Sequence, residues 1–309
     1  MEVILARPRG FCAGVVRAIQ TVQGALRRYG RPVYVLHEIV HNRHVVEGLR
    51  QQGARFVDLL EEIPVGAVTV FSAHGVGKAV VHRARQRRLA VIDATCPLVA
   101  KVHRETRRYS AEGCEVVIIG HVGHPEVEGT RGQIEGPAHV LLTVDDVAAL
   151  EIRDPRRVAY VTQTTLSVEE TREVVGALKR RFPHIRGPDL GDICYATQTR
   201  QNAVRRLARE VDLLLVVGAR NSSNTNRLRE LGEQQGLTSY LVEDAGDVDP
   251  LWFNGASSVG VTAGASTPEL LVTQVVAALG ALGFSRVREM EGPRESASFR
   301  PPEPLQAQR

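Results

Sequence analysis

One stretch, Val116-Val-Ile-Ile-Gly-His-Val-Gly-His124, indicates the fold class of the whole chain. Its four successive apolar residues predict a strand that is buried on both faces, because a strand with one exposed face alternates apolar and polar residues. The glycines and histidines that follow predict a polar loop at the end of this strand. Such a unit is typical of the parallel sheets of α/β proteins.

Similar apolar runs recur along the chain and predict further buried strands. They are Val3-Ile-Leu-Ala6, Val33-Tyr-Val-Leu36, Val68-Thr-Val-Phe71, Val158-Ala-Tyr-Val161, Leu213-Leu-Leu-Val-Val217 and Ser258-Val-Gly-Val261. Stretches of helical length lie between them, for example residues 15–29, 99–110, 168–182 and 203–209. The alternation of strands and helices predicts an α/β fold with parallel sheets.

The chain also repeats itself loosely three times, in units of roughly 90–100 residues, which is a common domain size. We therefore predict three similar α/β domains, residues 1–95, 96–190 and 191–290. Ligands of α/β sheets bind at the carboxyl ends of the strands, so three such domains can be arranged pseudo-threefold around one centre. Residues 291–309 are rich in Pro, Gln, Glu and Arg and predict a variable, loosely ordered tail.

Three cysteines occupy matching positions in these repeats, and each stands at a predicted helix start. They are Cys12 in Phe-Cys-Ala-Gly, Cys96 in Ala-Thr-Cys-Pro and Cys194 in Ile-Cys-Tyr-Ala. The free N–H groups and the positive dipole end of a helix N-terminus favour a thiolate. Any one of these residues alone would ordinarily be a buried structural cysteine, but three matched thiolates indicate one shared metal centre.

The cysteine pattern favours an iron–sulfur cluster over zinc. Structural zinc sites usually use Cys-x-x-Cys pairs or four ligands, and neither pattern is present. Soft thiolates from distant segments suit an iron–sulfur cluster, and a cubane held by three cysteines leaves one iron open to a substrate. The fourth cysteine, Cys114, follows the helix that Cys96 begins. About 15 helical residues at 1.5 Å each place it roughly 20 Å from Cys96, so we predict that it is not a ligand.

The loops at the strand ends carry short hydrogen-bonding side chains. They are His41, His74, His124, Ser222, Ser223, Asn224 and Ser266. A single loop histidine is usually solvated, and a serine or asparagine at a helix start is usually a cap. Their recurrence in equivalent loops favours a pocket for a phosphate or diphosphate, in the absence of a Walker-type loop.

Glu126 follows His124 by two residues and has two interpretations. It could be a first-turn carboxylate that the helix dipole stabilises. It could also be a proton donor whose pKa is tuned by burial. The dipole explanation suffices for the nearby Glu128, whereas both interpretations stay open for Glu126.

The composition limits the class of protein. The 309 residues include 39 Lys and Arg against 35 Asp and Glu, and the 5% of aromatic residues do not interleave with the basic runs, which argues against a nucleic-acid surface. No apolar run reaches the roughly 18 residues of a membrane span, and strand-like residues from Glu2 onward predict no leader peptide. Four cysteines are too few for a disulfide scaffold. We therefore expect a cytoplasmic protein that binds neither nucleic acid nor membrane.

Nine short motifs, taken together, are specific enough to indicate a family. They are Phe11-Cys12-Ala-Gly, His41-Asn, Ser72-Ala-His74-Gly, Asp93-Ala-Thr-Cys96-Pro, Gly123-His124-Pro-Glu126-Val-Glu-Gly-Thr, Thr162-Gln-Thr164-Thr-Leu-Ser, Asp192-Ile-Cys194-Tyr-Ala-Thr, Asn221-Ser-Ser-Asn224 and Val261-Thr-Ala-Gly-Ala-Ser266. They resemble the 4-hydroxy-3-methylbut-2-enyl diphosphate reductase (LytB) family. The resemblance extends from about residue 1 to residue 290, and Cys114 is not part of it.

The resemblance implies an oxidoreductase of the last step of the non-mevalonate (MEP) isoprenoid pathway. That step removes the hydroxyl group of an allylic alcohol diphosphate with two electrons and two protons and yields isopentenyl and dimethylallyl diphosphate. The family further implies a [4Fe-4S] cluster on Cys12, Cys96 and Cys194. Reduced ferredoxin or flavodoxin would supply the electrons.

The resemblance also implies roles for the loop residues. Glu126 matches the proton donor, and Thr164 and His124 match residues that hydrogen-bond the substrate hydroxyl and relay protons. The implied diphosphate pocket comprises His41, His74, Ser222, Ser223, Asn224 and Ser266.

Three other classes of protein use only part of these features. A non-catalytic iron–sulfur or zinc protein that senses redox state or iron would leave Glu126 and Thr164 without a role. A cluster-free phosphate-binding enzyme would leave the three matched cysteines without one. An RNA-binding module is suggested only by the basic charge.

Overall fold

The computed structural model describes residues 1–302 and shows an α/β protein with three parallel β-sheets. In chain order the strands are β1 (Glu2–Leu5), β2 (Val33–Leu36), β3 (Ala54–Val57), β4 (Val68–Phe71), β5 (Ala90–Asp93), β6 (Glu115–Ile119), β7 (Ala138–Leu141), β8 (Val158–Thr162), β9 (Leu213–Val217), β10 (Thr238–Val242), β11 (Ser258–Ala263) and β12 (Arg286–Glu289). The helices are α1 (Ala13–Tyr29), α2 (Arg43–Gln52), α3 (Lys78–Gln86), α4 (Pro97–Ala111), α5 (Pro125–Arg131), α6 (Val144–Ala149), α7 (Val168–Arg181), α8 (Tyr195–Leu207), α9 (Ser223–Gln234) and α10 (Glu269–Ala281). Short 3₁₀ helices cover Leu60–Glu62, Ala245–Asp247 and Pro250–Phe253. The predicted α/β class with parallel sheets is confirmed.

The chain divides into two compact units. The first unit consists of Met1–Val15, His41–Val45 and Tyr195–Ser298, and the second unit consists of Val16–Val40, Val46–Cys194 and, among the described residues, 299–302. Strand β1 pairs with β11 and β12, so it lies in the sheet of residues 213–289 and not with residues 33–93, where the predicted boundaries place it. A parallel partner at the other end of the chain leaves no local signal in the sequence. The remaining division into residues 1–95, 96–190 and 191–290 stays a prediction.

The first unit is built on a five-stranded sheet with the order β10-β9-β11-β1-β12. Successive residues of β9 face opposite sides of this sheet, as in any strand. Leu213, Leu215 and Val217 belong to the core that includes α10, while Leu214 and Val216 belong to the core that includes α8 and α9. Both faces of β9 are therefore covered, which explains why its sequence is apolar throughout.

The second unit contains a four-stranded sheet of order β3-β2-β4-β5 and a three-stranded sheet of order β7-β6-β8. Strand β6 is covered on both faces: Val117 and Ile119 lie in the core that includes α7, and Val116 and Ile118 lie in the core that includes α4. All residues of β6 are buried. The structure therefore confirms the two-sided burial predicted for this strand.

The predicted apolar runs coincide with seven strands, β1, β2, β4, β6, β8, β9 and β11. The other strands escaped the pattern because their residues are less apolar; the edge strand β12, for example, reads Arg-Val-Arg-Glu and is mostly exposed. Helix α8 begins at Tyr195, directly after Cys194, and the stretch 203–209 covers only its last part. The apolar pattern does not extend to its first turns because they bury polar residues such as Thr197 and Gln201.

The three predicted helix starts at cysteines are confirmed. Helix α1 begins directly after Cys12, α4 directly after Cys96 and α8 directly after Cys194. The polar loops also follow strand ends as predicted, with His74 after β4, Thr164 after β8, Ser222 after β9 and Ser266 after β11. In each parallel sheet these loops emerge at the same edge, where α/β proteins bind ligands.

None of the helices in residues 1–302 is both long and apolar enough to cross a membrane. Residues 291–302 form no helix or strand, and residues 303–309 of the predicted tail lie outside the described part of the chain. Glu295 of the tail belongs to the first unit, where it forms an ion pair with Arg200 at 2.8 Å.

Candidate active site

Cys96 and His74 lie in two loops of the second unit that follow the neighbouring strands β5 and β4. Cys96 immediately precedes α4, whose first residue is a proline, as is common at helix starts. The Cys96 N–H donates to the carbonyl of Ala73 at 3.0 Å, and Ser72 Oγ lies 3.4 Å from His74 Nδ1. A backbone hydrogen bond thus joins the loop of the thiol to the loop of the imidazole.

His124 lies beside His74 and has a defined tautomer. The two rings meet edge to face, with their centroids 5.8 Å apart. His124 caps α5, and its Nδ1 accepts a hydrogen bond from the Glu126 N–H at 3.1 Å. A ring nitrogen that accepts a hydrogen bond carries no proton, so neutral His124 carries its proton on Nε2, which can act as a donor.

Glu126 is buried and paired with Thr164, and only 3% of its surface is exposed. Its Oε1 accepts the Thr164 N–H at 2.6 Å, and its Oε2 lies 3.0 Å from Thr164 Oγ1. Burial raises the pKa of Glu126 to about 7, although these hydrogen bonds lower it, and the negative charge of Asp192 adds to the increase. A carboxyl group with this pKa can give or take a proton near neutral pH, which favours the proton-donor interpretation.

The backbone of Thr164 connects this pair to a second cysteine, because its carbonyl accepts the N–H of Cys194 at 3.1 Å. The second unit therefore brings together Cys96, His74, His124, Glu126, Thr164 and Cys194 through successive contacts. The loops of two cysteines are therefore linked to the buried carboxyl group of Glu126.

The first unit gathers a second group of predicted residues around the loop that follows β11. The Cys12 N–H donates to the carbonyl of Ala265 at 3.2 Å, and the Ala265 N–H donates to Asn224 Oδ1 at 2.9 Å. The next residue, Ser266, donates from Oγ to the carbonyl of His41 at 2.8 Å. One short loop therefore joins a thiol, an amide and a histidine backbone.

The start of helix α9 is both capped and able to donate hydrogen bonds. Ser222 is its N-cap, and its Oγ accepts the Thr225 N–H at 3.3 Å, which leaves the hydroxyl proton to be donated. Ser223 is the first helical residue. Asn224 is 4% exposed, and its Nδ2 has no hydrogen-bond partner among residues 1–302. A buried amide without a partner is costly, and an anion oxygen would satisfy it.

A protein-family model described as LytB protein matches residues 3–280. The chain belongs to the LytB family. Named relatives match it over nearly the whole length. The 4-hydroxy-3-methylbut-2-enyl diphosphate reductase of Zymomonas mobilis is 56% identical over 305 residues, which cover 99% of this chain and 90% of the relative. The reductase of the same name from Burkholderia pseudomallei is 59% identical over 307 residues, with 99% and 97% covered.

A solved LytB-type structure shows that the fold is shared. The E-1-hydroxy-2-methyl-but-2-enyl-4-diphosphate reductase from Plasmodium falciparum superposes with a TM-score of 0.94 at 36% sequence identity, over 97% of this chain and 95% of that chain. These relatives are enzymes, and so is this member of the LytB family.

The fourth cysteine, Cys114, lies apart from the LytB motifs. It is buried between α4 and β6, at the opposite end of α4 from Cys96. Its Sγ accepts a hydrogen bond from Arg186 Nη2 at 2.8 Å. These contacts support the prediction that Cys114 is not a cluster ligand.

The three predicted ligand thiols are divided between the units, with Cys12 in the first and Cys96 and Cys194 in the second. Within residues 1–302, the His, Cys, Asp and Glu side chains form no group of three or more that could hold one metal ion. In a cubane, however, each thiolate binds a different iron, so its ligands need not converge on one point. Cys12, Cys96 and Cys194 are each half-buried.

Asp192 is a buried carboxylate that the sequence analysis quoted in a LytB motif without a role. It is 3% exposed, accepts the Thr162 N–H at 3.1 Å and pairs with Lys101 Nζ at 3.0 Å. Burial raises the pKa of Asp192 above its ordinary value. In the sequence, only its position two residues before Cys194 indicated that Asp192 lies near the predicted site.

No sequence pattern pointed to Arg17 as a residue of the candidate site. Its Nη1 donates to the carbonyls of Ala94 and Thr95, at 3.1 and 2.9 Å, directly before the LytB motif residue Cys96. Arg17 is one of several arginines in α1, so no local pattern distinguished it.

Proposed function

We propose that this LytB enzyme converts 4-hydroxy-3-methylbut-2-enyl diphosphate to isopentenyl and dimethylallyl diphosphate, the last step of the non-mevalonate isoprenoid pathway. The C–O bond of the allylic alcohol breaks and a C–H bond forms from two electrons and one proton, while a second proton converts the departing hydroxide to water. The observation that carries the proposal is the buried pair of Glu126 and Thr164, joined through the backbone to Cys194. The names of the relatives support the choice of substrate.

Cys12, Cys96 and Cys194 are the proposed ligands of a [4Fe-4S] cluster. When bound, such a cluster supplies electrons and an iron that acts as a Lewis acid on the substrate hydroxyl. Each thiol lies directly before a helix. Reduced ferredoxin or flavodoxin is the proposed electron donor, since an acidic carrier suits a mildly basic protein. A cytoplasmic location stays a prediction.

The pair of Glu126 and Thr164 offers a path for a proton to the substrate oxygen. When Glu126 is protonated on Oε2, it donates to Thr164 Oγ1, and the threonine hydroxyl can then donate to a substrate oxygen. A proton delivered to that oxygen assists its departure as water. The Thr164 N–H holds the carboxyl group in place, and Nε2–H of His124 is a second proposed donor.

The strand-end loops are the proposed diphosphate site. It comprises His41, His74, Ser222, Ser223, Asn224 and Ser266, with His124 and Thr164 at the hydroxyl end of the substrate. The unsatisfied Nδ2 of Asn224 is the strongest support for this assignment, since a phosphate oxygen is the acceptor it requires.

Replacing Asn224 with Asp is expected to weaken substrate binding roughly tenfold to hundredfold, the value of a hydrogen bond to a charged group. The aspartate keeps the oxygen that accepts the Ala265 N–H but replaces the free donor with a negative oxygen. Asn202→Asp introduces the same charge at an exposed position of α8 and should leave KM unchanged. Steady-state KM for both variants is the measurement, and an unchanged KM in Asn224→Asp would remove this residue from the site.

Anaerobic purification of the full chain tests the proposed function. We expect a [4Fe-4S] spectrum near stoichiometry, and we expect electron paramagnetic resonance of the reduced protein to change when the hydroxylated diphosphate is added. Turnover should then yield both isomeric diphosphates. A protein that is active while metal-free or loaded with zinc would contradict the proposal. A cluster without response to the substrate would favour a redox or iron sensor instead, a role that leaves the Glu126–Thr164 pair unexplained.

A further inference from the structure

We infer that the ion pair between Arg200 and Glu295 is a positioning device for the segment that carries Cys12. Through this pair the C-terminal segment controls the position of the backbone that carries Cys12. The inference rests on the proposed function in one respect, that Cys12 is a cluster ligand. All of the residues involved belong to the first unit.

Arg200 is fully buried, and its guanidinium group is completely hydrogen-bonded. Nε and Nη2 donate to the carbonyl of Gly10 at 3.1 and 2.7 Å. Nη1 donates to the carbonyl of Ala196 at 2.9 Å and to Glu295 Oε1 at 2.8 Å, and Nη2 donates to Glu295 Oε2 at 2.9 Å. All five N–H donors of the side chain are therefore used.

Glu295 is the countercharge that allows Arg200 to be buried. An arginine with no exposed surface requires a paired carboxylate, because an isolated buried charge is strongly destabilising. Both oxygens of Glu295 are engaged, which fixes the plane of the guanidinium group as well as its charge. Thr199 Oγ1 adds a hydrogen bond to Glu295 Oε1 at 2.9 Å. The neighbouring residues 293, 294, 296 and 297 are exposed, whereas Glu295 is half-buried.

Gly10 links this ion pair to the cysteine. Its φ of +67° lies in the left-handed region, which glycine adopts readily. Its carbonyl accepts two of the five hydrogen bonds that Arg200 donates. Two residues later the Cys12 N–H donates to Ala265, and the Ala13 N–H donates to Tyr195 Oη at 3.3 Å. The backbone around Cys12 is therefore held by Arg200 on its N-terminal side and by Tyr195 on its C-terminal side.

Loss of the carboxylate has a defined structural consequence. Without Glu295 the guanidinium group is buried and unpaired, so it must turn toward water and give up both hydrogen bonds to Gly10. The segment before Cys12 then opens more often, although the sheet and helices of the unit keep their own cores. The predicted effect is local to Cys12.

Thiol labelling of the full chain without metal tests this inference independently of any cluster. In Glu295→Gln, we expect Cys12 to be alkylated on the order of tenfold faster, as a locally opened segment allows. Cys96 is the internal control, because it lies in the second unit. Glu291→Gln is the matched control, since it makes the same change in the same segment at an exposed side chain without a partner in residues 1–302.

Two further variants separate positioning from general destabilisation. Thr199→Val keeps both charges and removes one support, so Cys12 labelling should rise by less. Leu279→Ala lowers the melting temperature through the opposite core of the unit and should leave the labelling ratio of the cysteines unchanged. Equal acceleration at Cys12 and Cys96, or none at Cys12 in Glu295→Gln, would overturn the inference.

Cluster retention then addresses the link to the proposed function. In the reconstituted protein, Glu295→Gln should increase the rate of iron release to a chelator by about the same factor as the rate of Cys12 labelling. Glu291→Gln should release iron at the rate of the natural chain. If the natural chain binds no cluster, the proposed function fails while the labelling result still decides the positioning role. If iron release is unchanged although Cys12 labelling accelerates, Cys12 is not a ligand and the inferred control of cluster binding is refuted.

Discussion

Replacing Glu126 with Gln is expected to lower kcat by a factor of about 10²–10⁴, the range that a positioned general acid contributes. Gln preserves the geometry, because its carbonyl oxygen can accept the Thr164 N–H and its amide can donate to Thr164 Oγ1. It has no proton to give, so substrate should bind and turnover should stall. Single-turnover kinetics together with iron content and substrate affinity measure these three properties separately.

Glu128→Gln is the matched control for this prediction. Glu128 lies on the same short helix, α5, but is exposed and only distantly paired with Arg131, at 4.0 Å. Its replacement removes one carboxylate from the same motif and should leave kcat within about twofold of the natural value, as for most exposed substitutions. Normal turnover in Glu126→Gln would show that the proton comes from elsewhere.

The pH dependence provides a second test of the same group. Because burial raises the pKa of Glu126 to about 7, the protonated form dominates below that pH and is lost above it. Turnover that requires this proton should therefore decline as the pH rises through about 7. The residual turnover of Glu126→Gln should lack that decline, since the amide does not titrate in this range. A decline of equal size in both proteins would assign it to another group.

The sequence was sufficient to predict those parts of the site that local pattern determines. The run Val116–Ile119 indicated a strand covered on both faces, and the structure shows all of its residues buried. The three helix starts at Cys12, Cys96 and Cys194 were predicted from their matching positions, and each one is confirmed. Composition and motif order sufficed because a buried parallel strand and a helix start are each defined by a few consecutive residues.

Features that depend on distant partners could not be predicted in this way. Strand β1 pairs with strands from the other end of the chain, and no residue within Glu2–Leu5 specifies that choice. Burial of Glu126, which raises its pKa, comes from the surrounding core and not from its motif. Glu295 lies in a segment whose composition indicates a loose tail, and its role depends on Arg200, a residue distant in sequence. Pairwise contacts of this kind require the fold.

Replacing Cys96 with Ser is expected to abolish cluster binding, whereas Cys114→Ser should retain about four irons per chain, as a [4Fe-4S] centre requires. The two residues bracket the same helix, α4, with Cys96 directly before Pro97 and Cys114 after Ala111. A serine hydroxyl is a poor substitute for a soft thiolate at an iron. At position 114 it can still accept the hydrogen bond of Arg186, so the variant should lose only about 1 kcal/mol of stability, typical of a small buried change.

Iron analysis, absorption spectra and thermal unfolding of both variants distinguish a ligand from a structural cysteine. Each substitution exchanges one sulfur for one oxygen at an end of the same helix, so a general effect of the exchange on folding should appear in both. Only the end that follows β5 is joined to the His74 loop, through the hydrogen bond from Cys96 N–H to Ala73. Iron loss in Cys114→Ser with iron retained in Cys96→Ser would place the metal at the C-terminal end of α4 and contradict the ligand assignment. Iron loss confined to Cys96→Ser requires a ligand at the end of α4 that is joined to the His74 loop, and the His74 ring lies beside His124, the cap of the helix that carries Glu126.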